Sequence, residues 1–569
     1  MKYLSFQPNY DQYPKIIIHQ SFDVREGLES IVKHILNHRD QHIAIETYPG
    51  VDVTKMLDMF QSINVTHDVI DTATYSIGEE AYQRLFVNNF TEDRVFGYKT
   101  NKSISDIIKT PKDMIYKKPT IIIGFGASLF NHDMLYYATI KRFEHQLRMR
   151  NGMPNYLMQN YEEDPLTKYK RAYFVEWVIA DQHRINLINK IDYMIDWNNV
   201  ENPKLIQYLD YQNALKKFTS RPFRMVPYFD PGVWGGQWLK EICQLDVSKK
   251  NYAWSFDGVA EENSIMFEIN HIDYEFQAQE LIYEFPKAIL GNQVFKYFKY
   301  NLPIRFDLLD TMDGQNLSLQ VHPKKDYIKN LFGMPYTQDE SYYILDAGLD
   351  SKVYLGFKEN INHEIFEKEL IDSTQTKHFY AEKYVNTFPV KKHDHLLIPA
   401  GTIHCSGKNT LVLEISSAAY IFTFKLWDWD RLGLDGKPRP VYHQHGIKNL
   451  DYSRTTKYVE EHYVNPFKTI NHHLEKSGID HGTFLDAYRL SFNQQCHFSF
   501  KKTVQMANLV EGESMVISSV DESFDDITIH YAETFVIPAN VENVIFSCIK
   551  GHCKIMYAEV KPEWSKLSY

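Results

Sequence analysis

Near Pro222 the hydrophobic pattern of this chain changes period, and that change constrains the fold more than any single motif. Before it, apolar runs of strand length alternate with stretches of helical period; after it, short alternating runs, aromatics and turn residues continue to the C-terminus. The first pattern is that of an α/β domain, in which buried strands are joined by helices. Lys15–His19, His42–Glu46 and Pro119–Gly124 read as strands, Arg25–Leu36 as a helix and His132–Arg150 as one long amphipathic stretch. Further strands are predicted near Tyr173–Trp177 and Ile191–Ile195, and the polar, helical segment Asn198–Arg221 reads as the connection. The second pattern predicts β-sandwiches. The expected organisation is a doubly wound α/β domain over residues 1–200, a linker over 201–224, and β-sandwich domains over 225–455 and 456–569.

A chain of 569 residues exceeds what one hydrophobic core organises, in keeping with several domains. Hydrophobic residues at 44% and charged residues at 24% exclude wholesale disorder. The net charge of −11 comes without a basic stripe, which argues against nucleic acid as a partner. Five cysteines, odd in number and scattered, are usage for a reducing compartment; Cys548 and Cys553 read as neighbours around a strand turn. With no run approaching the ~20 apolar residues that span a bilayer, a soluble, cytoplasmic protein without a membrane partner is expected. Phe535-Val-Ile-Pro-Ala echoes Leu396-Leu-Ile-Pro-Ala400, which suggests a degenerate duplication. The later copy has Asn543 and its neighbours in place of Gly-Thr-Ile-His404, so no metal is expected there.

The chemistry centres on Asn316-Leu-Ser-Leu-Gln-Val-His-Pro323. Residues two apart on a strand share a face, so Gln320 and His322 point the same way. Glu340 in Asp-Glu-Ser-Tyr-Tyr-Ile-Leu and His404 in Ile-Pro-Ala-Gly-Thr-Ile-His lie downstream in similar strand contexts. A lone histidine on a strand is usually structural; it is the set of four that points to a metal. Two imidazoles, a carboxylate and an amide oxygen suit Zn²⁺, with a position open for water or substrate.

These segments, together with Ile-Pro-Ala-Gly-Thr-Ile-His-Cys-Ser-Gly-Lys-Asn-Thr-Leu-Val-Leu-Glu414 and Tyr228-Phe-Asp-Pro-Gly-Val-Trp-Gly-Gly236, resemble the type I mannose-6-phosphate isomerases. The closest look is to the short bacterial members, which have cupin domains. The resemblance covers about residues 225–450 well and the C-terminal block weakly. It implies two cupin-like (jelly-roll) domains, zinc held by Gln320, His322, Glu340 and His404, and a hexose 6-phosphate as substrate. The implied reaction interconverts mannose 6-phosphate and fructose 6-phosphate through a cis-enediol. Glu414 stands where the family has its second carboxylate. Lys425, in Thr423-Phe-Lys-Leu-Trp-Asp-Trp-Asp-Arg431, stands where an arginine is expected. Lysine keeps the charge, loses the planar fork, and can itself serve as a base when desolvated. Lys324 (or Lys325 beside it), Lys425 and Arg431 are the candidates for the sugar phosphate. The departures at Lys425 and in the phosphate set leave an alternative, a metal-containing sugar-phosphate sensor with little turnover. A cupin oxygenase using Fe(II) is disfavoured by the glutamine ligand. Oligomeric state, including a homo-oligomer, is left open.

Toward the N-terminus, His42-Ile-Ala-Ile-Glu-Thr-Tyr-Pro-Gly-Val-Asp-Val-Thr-Lys55 looks like a remnant of the P-loop kinase arrangement. The Gly-Lys-Ser/Thr ending is missing, and Asp52 would repel a phosphate. Gly124-Phe-Gly126 reads as a tight turn. Val175–Arg184, with Asp181 and His183, is expected at a strand end, where α/β domains bind ligands. The expectation is a degenerate kinase-like domain kept for sensing a small ligand or for assembly.

Overall fold

The computed structural model describes all residues except 1, 39, 63–66, 112–113, 418–420, 435, 479–481 and 562–569. The chain forms a mixed α/β protein with many β-sheets, divided into two compact units. The first comprises Met1–Pro14, Phe218–Ala260 and Phe285–Tyr569; the second comprises Lys15–Lys217 and Glu261–Glu284. These bounds differ from the sequence expectation. The first fourteen residues join the C-terminal β-rich part, the segment read as a linker supplies a strand and a helix, and residues 261–284 belong with the N-terminal part. The two expected β-sandwich domains fall in one unit.

The smaller unit is built on a seven-stranded sheet. Five parallel strands lie in the spatial order Asp68–Asp71, Thr120–Gly124, Ile43–Thr47, Met134–Thr139, Tyr193–Asp196. Lys204–Gln207 and Val24–Glu26 extend it antiparallel. Ile43–Thr47 and Thr120–Gly124 are buried at every position, which is why both read as unbroken apolar runs rather than alternating ones. A three-stranded sheet pairs Lys15–Ile18 with the hairpin Ser264–Ile269 and Ile272–Gln277. The amphipathic stretch His132–Arg150 is in fact the strand Met134–Thr139 followed by the helix Arg142–Arg150.

The strand predicted near Tyr173–Trp177 does not exist. Ala172–Glu176 is a turn of π-helix leading into the α-helix Trp177–Asn186. Ala172, Phe174, Val175, Glu176 and Trp177 are all buried, so the segment carries no one-sided period to betray a helix. Its polar residues nevertheless meet the end of the strand Ile43–Thr47. Asp181 accepts from the Tyr48 hydroxyl at 2.9 Å and pairs with Arg142, while His183 Nε2 lies 3.2 Å from Glu46 Oε2. In the loop after that strand, Asp52 accepts the Lys55 amide at 3.1 Å, and the Lys55 ammonium pairs with Glu201.

The larger unit contains two pairs of antiparallel sheets. In the first pair, a six-stranded sheet runs His395–Ile398, Glu340–Ala347, Thr410–Ser417, Ile304–Asp310, Trp254–Phe256, Tyr228–Asp230. Its companion has five strands in the order Val385–Pro389, Lys352–Phe357, His404–Ser406, Leu319–Val321, Phe424–Trp427. The second pair, of six and four strands, encloses an apolar core. Tyr488, Leu490 and Phe492 alternate along one strand of that core, Met515 and Ile517 along another, and Ile555 and Tyr557 along a third. Each fully buried side chain of this kind contributes about 1.5–3 kcal/mol of transfer free energy. Among the described residues no helix is long and apolar enough to cross a membrane.

Candidate metal centre

The side chains that matter come from both sheets of the first pair. Gln320 lies opposite His404 on one neighbouring strand and opposite Lys425 on the other. Residues directly opposite in antiparallel strands project to the same face, so Gln320, His404 and Lys425 form one row. His322, two residues beyond Gln320, shares that face. The six-stranded sheet supplies Glu340, in register with Ser416, and Glu414, in register with Tyr342 and Asp307.

A turn delivers His404. Thr402 N donates to Pro399 O at 3.1 Å, and Gly401 between them has φ +92°. That is the left-handed conformation a type II turn demands at its third residue, where glycine is at home. Gly401 N also donates to His322 O at 3.0 Å, tying the turn to the strand end that carries the other imidazole.

His322, Glu340 and His404 are buried, and their ligand-capable atoms all lie within 4.8 Å of one another. His322 Nε2 is 3.0 Å from Glu340 Oε2, and His404 Nε2 is 2.7 Å from Glu340 Oε1. The far nitrogen of each ring is engaged: His404 Nδ1 donates to Thr402 O at 2.9 Å and His322 Nδ1 to Phe422 O at 3.2 Å. Those bonds fix the tautomer that leaves a lone pair on Nε2. His322 Nε2 and Glu340 Oε1 have no hydrogen-bond partner despite their close approach. Electron-rich atoms facing one another in a buried site, with their protons spent elsewhere, are what a cation requires. Tetrahedral zinc with bonds near 2.0–2.2 Å would need ligand separations of about 3.3 Å, only a few tenths wider than these. Gln320 Nε2 lies 3.2 Å from His404 Nε2, so a half-turn of its amide brings an oxygen to the same place. The donor set therefore fits a divalent metal.

Charges around the cradle are strongly biased. Burial raises the Glu340 carboxyl, but the two imidazoles outweigh it and hold the group well below the ordinary carboxylate range. Burial opposes a charge on His322, yet Glu340 beside it raises the imidazole above its usual value. Glu414 is pushed well above the carboxylate range, first by burial and then by the charges of Glu340 and Asp307. The two neighbouring carboxyl groups are thus pushed in opposite directions.

The proposed phosphate ligands have other engagements. Arg431 donates to Asn316 O at 2.6 Å and to Asp428 Oδ1 at 2.5 Å, and Arg439 shares that same aspartate. Lys324 Nζ donates to Leu450 O at 3.1 Å. Both side chains tie loops down. Sequence reading missed Gln338, whose Nε2 donates to Glu340 Oε2 at 2.9 Å and to Glu414 Oε1 at 3.0 Å. The available signal was proximity alone, since Gln338 stands two residues before Glu340 in the loop that leads into its strand. It also missed Tyr342, buried on the face of Glu340 with its ring edge-on to His404 at 5.9 Å.

Relatives of known name share this part of the chain. Over 306 residues, 53% of this chain and 89% of the relative, it is 25% identical to the mannose-6-phosphate isomerase ManA of Bacillus subtilis (strain 168). It is 22% identical over 339 residues, 59% of this chain and 98% of the relative, to the probable mannose-6-phosphate isomerase GmuF of the same organism. Over about 60% of its length, the chain is homologous to type I mannose-6-phosphate isomerases. A crystal structure of the mannose 6-phosphate isomerase from Bacillus subtilis aligns over 60% of this chain and 99% of its own, with TM-score 0.49 and 18% identity. Residues 27–220 match a family model described as a domain of unknown function, DUF8485.

Proposed function

We propose that this protein is a zinc-dependent aldose–ketose isomerase that interconverts mannose 6-phosphate and fructose 6-phosphate through a cis-enediol. The observation that carries the reading is the buried cradle of His322, Glu340 and His404 with Gln320 beside it, in a chain homologous to isomerases of that substrate. Gln320, His322, Glu340 and His404 would hold the metal, which supplies Lewis acidity toward the sugar oxygens. The remaining chemistry is a proton moved between C1 and C2, with hydroxyl protons adjusted to match. Glu414, neutral and buried, holds a proton at its carboxyl and exchanges it with a sugar hydroxyl. Lys425 stands in the row of Gln320 and His404; as an ammonium it would offset negative charge as the carbonyl becomes an enediol, and as a neutral amine it would instead take the carbon-bound proton. Burial of the ligand strands excludes water from the reacting carbons.

The smaller unit is read as a degenerate phosphate-binding fold. Support comes from the strand order, with Ile43–Thr47 central, and from the loop after it, where Asp52 takes the amide that a phosphate would use. It would retain a sensing or assembly role.

Purified protein supplied with Zn²⁺ should convert mannose 6-phosphate to fructose 6-phosphate, and His404→Ala should lose both the metal and the activity. Full turnover by chelator-treated, metal-free protein would defeat this account. Tight binding of mannose 6-phosphate without any formation of fructose 6-phosphate would instead make it a sensor.

A further inference from the structure

The interior of the site holds more unmet hydrogen-bonding capacity than a metal alone accounts for. His322 Nε2 and Glu340 Oε1 are explained by a cation. Gln338 Oε1 is not: it is buried and has no partner among the described residues, although the other end of the same amide is fully used. Gln338 is only 4% exposed. An orphaned buried acceptor is costly, and in native proteins each one calls for an explanation, such as a water, an ion or a ligand that meets it.

The backbone around Gln338 is unusually well fixed. Thr337 Oγ1 donates to Pro323 O, next to His322. Asp339 Oδ1 accepts the Ala400 amide at 2.9 Å, in the turn that delivers His404. Asp339 and Ser417 exchange backbone and side-chain bonds of 2.9 Å, which join this segment to the strand carrying Glu414. Gln338 is thus held at the junction of the pieces that form the centre. Gln338 lies in the loop just before the strand Glu340–Ala347, and its two bonds to Glu340 and Glu414 hold it against them.

We infer that Gln338 is a substrate-positioning residue. Its Nε2 sets the spacing of the Glu340 and Glu414 carboxylates, and its Oε1 accepts a hydrogen bond from a hydroxyl of the bound sugar phosphate. The inference rests on the sugar-phosphate isomerase reading and adds to it a specificity determinant for the polyol part of the substrate. A site built to meet a hydroxyl rejects the analogue that lacks it, because the acceptor is then buried unpaired.

The test compares the zinc-loaded full-length protein with Gln338→Met, which keeps the volume and removes both donor and acceptor. Zinc content is read by elemental analysis, and binding of mannose 6-phosphate and its 3-deoxy and 4-deoxy analogues by calorimetry. The expected result is full zinc occupancy in Q338M. Affinity for mannose 6-phosphate should fall on the order of 10-fold, and the discrimination against one deoxy analogue seen in the unaltered protein should vanish. Gln338→Leu, which removes the same donor and acceptor with a different shape, should show the same loss, and it carries the test if Q338M does not fold. Unchanged affinity in Q338M overturns the inference, as does loss of zinc, which would make Gln338 part of the metal site alone. Failure of the unaltered protein to bind mannose 6-phosphate would sink the functional reading first, and this one with it.

Discussion

Removing the metal is the perturbation whose size follows most directly from the geometry. The cradle sets two imidazole nitrogens 3.0 and 2.7 Å from one carboxylate, all three groups buried. Burial opposes a charge on His322, and Glu340 beside it raises that imidazole all the same. A ligand that binds only the folded state stabilises it by RT ln(1 + [L]/Kd), about 2.7 kcal/mol when free zinc stands at 100 times its dissociation constant. Unfolding entropy is about 2 cal/mol/K per residue, so for a unit the size of the larger one this corresponds to a rise in Tm of about 4 °C. Each further hundredfold in free zinc adds roughly the same again. The assay is a thermal scan at buffered zinc concentrations on chelator-stripped protein, with His404→Ala alongside. The metal must displace the His322 proton, so the zinc-induced rise should shrink as pH falls below the raised imidazole value. A rise of equal size in His404→Ala would refute the reasoning, as would a flat response in the unaltered protein up to millimolar zinc.

Three further outcomes are expected. Glu414→Gln keeps the shape and the contact with Gln338 but cannot give up a proton, so zinc binding should persist while isomerisation falls on the order of 100-fold; near-normal turnover would remove Glu414 from proton transfer. A Cβ on Gly236 would lie 2.1 Å from Asp310 Oδ1, and Asp310 Oδ2 accepts the Leu239 amide at 2.8 Å. Gly236→Ala should therefore lower stability by about 1–3 kcal/mol, and an unchanged denaturant midpoint would show that the contact yields freely. In the smaller unit, burial raises the Glu176 carboxyl from 4.5 to about 7. Its neutral form suits the fold, so the native state is penalised progressively as pH rises from the unfolded value through about 7. Glu176→Gln should therefore gain up to about 3 kcal/mol at pH 8 relative to its effect at pH 4, and equal effects at both would contradict the assignment.

Strand parity alone placed Gln320 and His322 on one face, whereas Gln338, in the loop before the strand Glu340–Ala347, lay outside that rule. Continuous apolar runs marked Ile43–Thr47 and Thr120–Gly124, because strands buried on both faces carry no polar side. The same logic misled near Tyr173–Trp177, where a helical turn buried at nearly every position looks like a strand. The hairpin Ser264–Gln277 has the alternation of the β-rich half, yet it pairs with Lys15–Ile18 in the smaller unit. Alternation states that a strand has two faces and is silent about which neighbour covers them.

Residue types and their local period were thus enough to nominate a metal-binding β-structure, since ligand chemistry and side-chain direction are properties of short segments. Only the tertiary structure decided that Glu340 crosses from the opposite sheet to meet the two imidazoles. It also decided that Lys425 stands in register with Gln320, and that Arg431 and Lys324 spend their donors on nearby loops. Those outcomes depend on sheet order and on which carbonyls happen to lie within 3 Å. Such distances arise from the packing of segments far apart in the chain, and no local pattern encodes them.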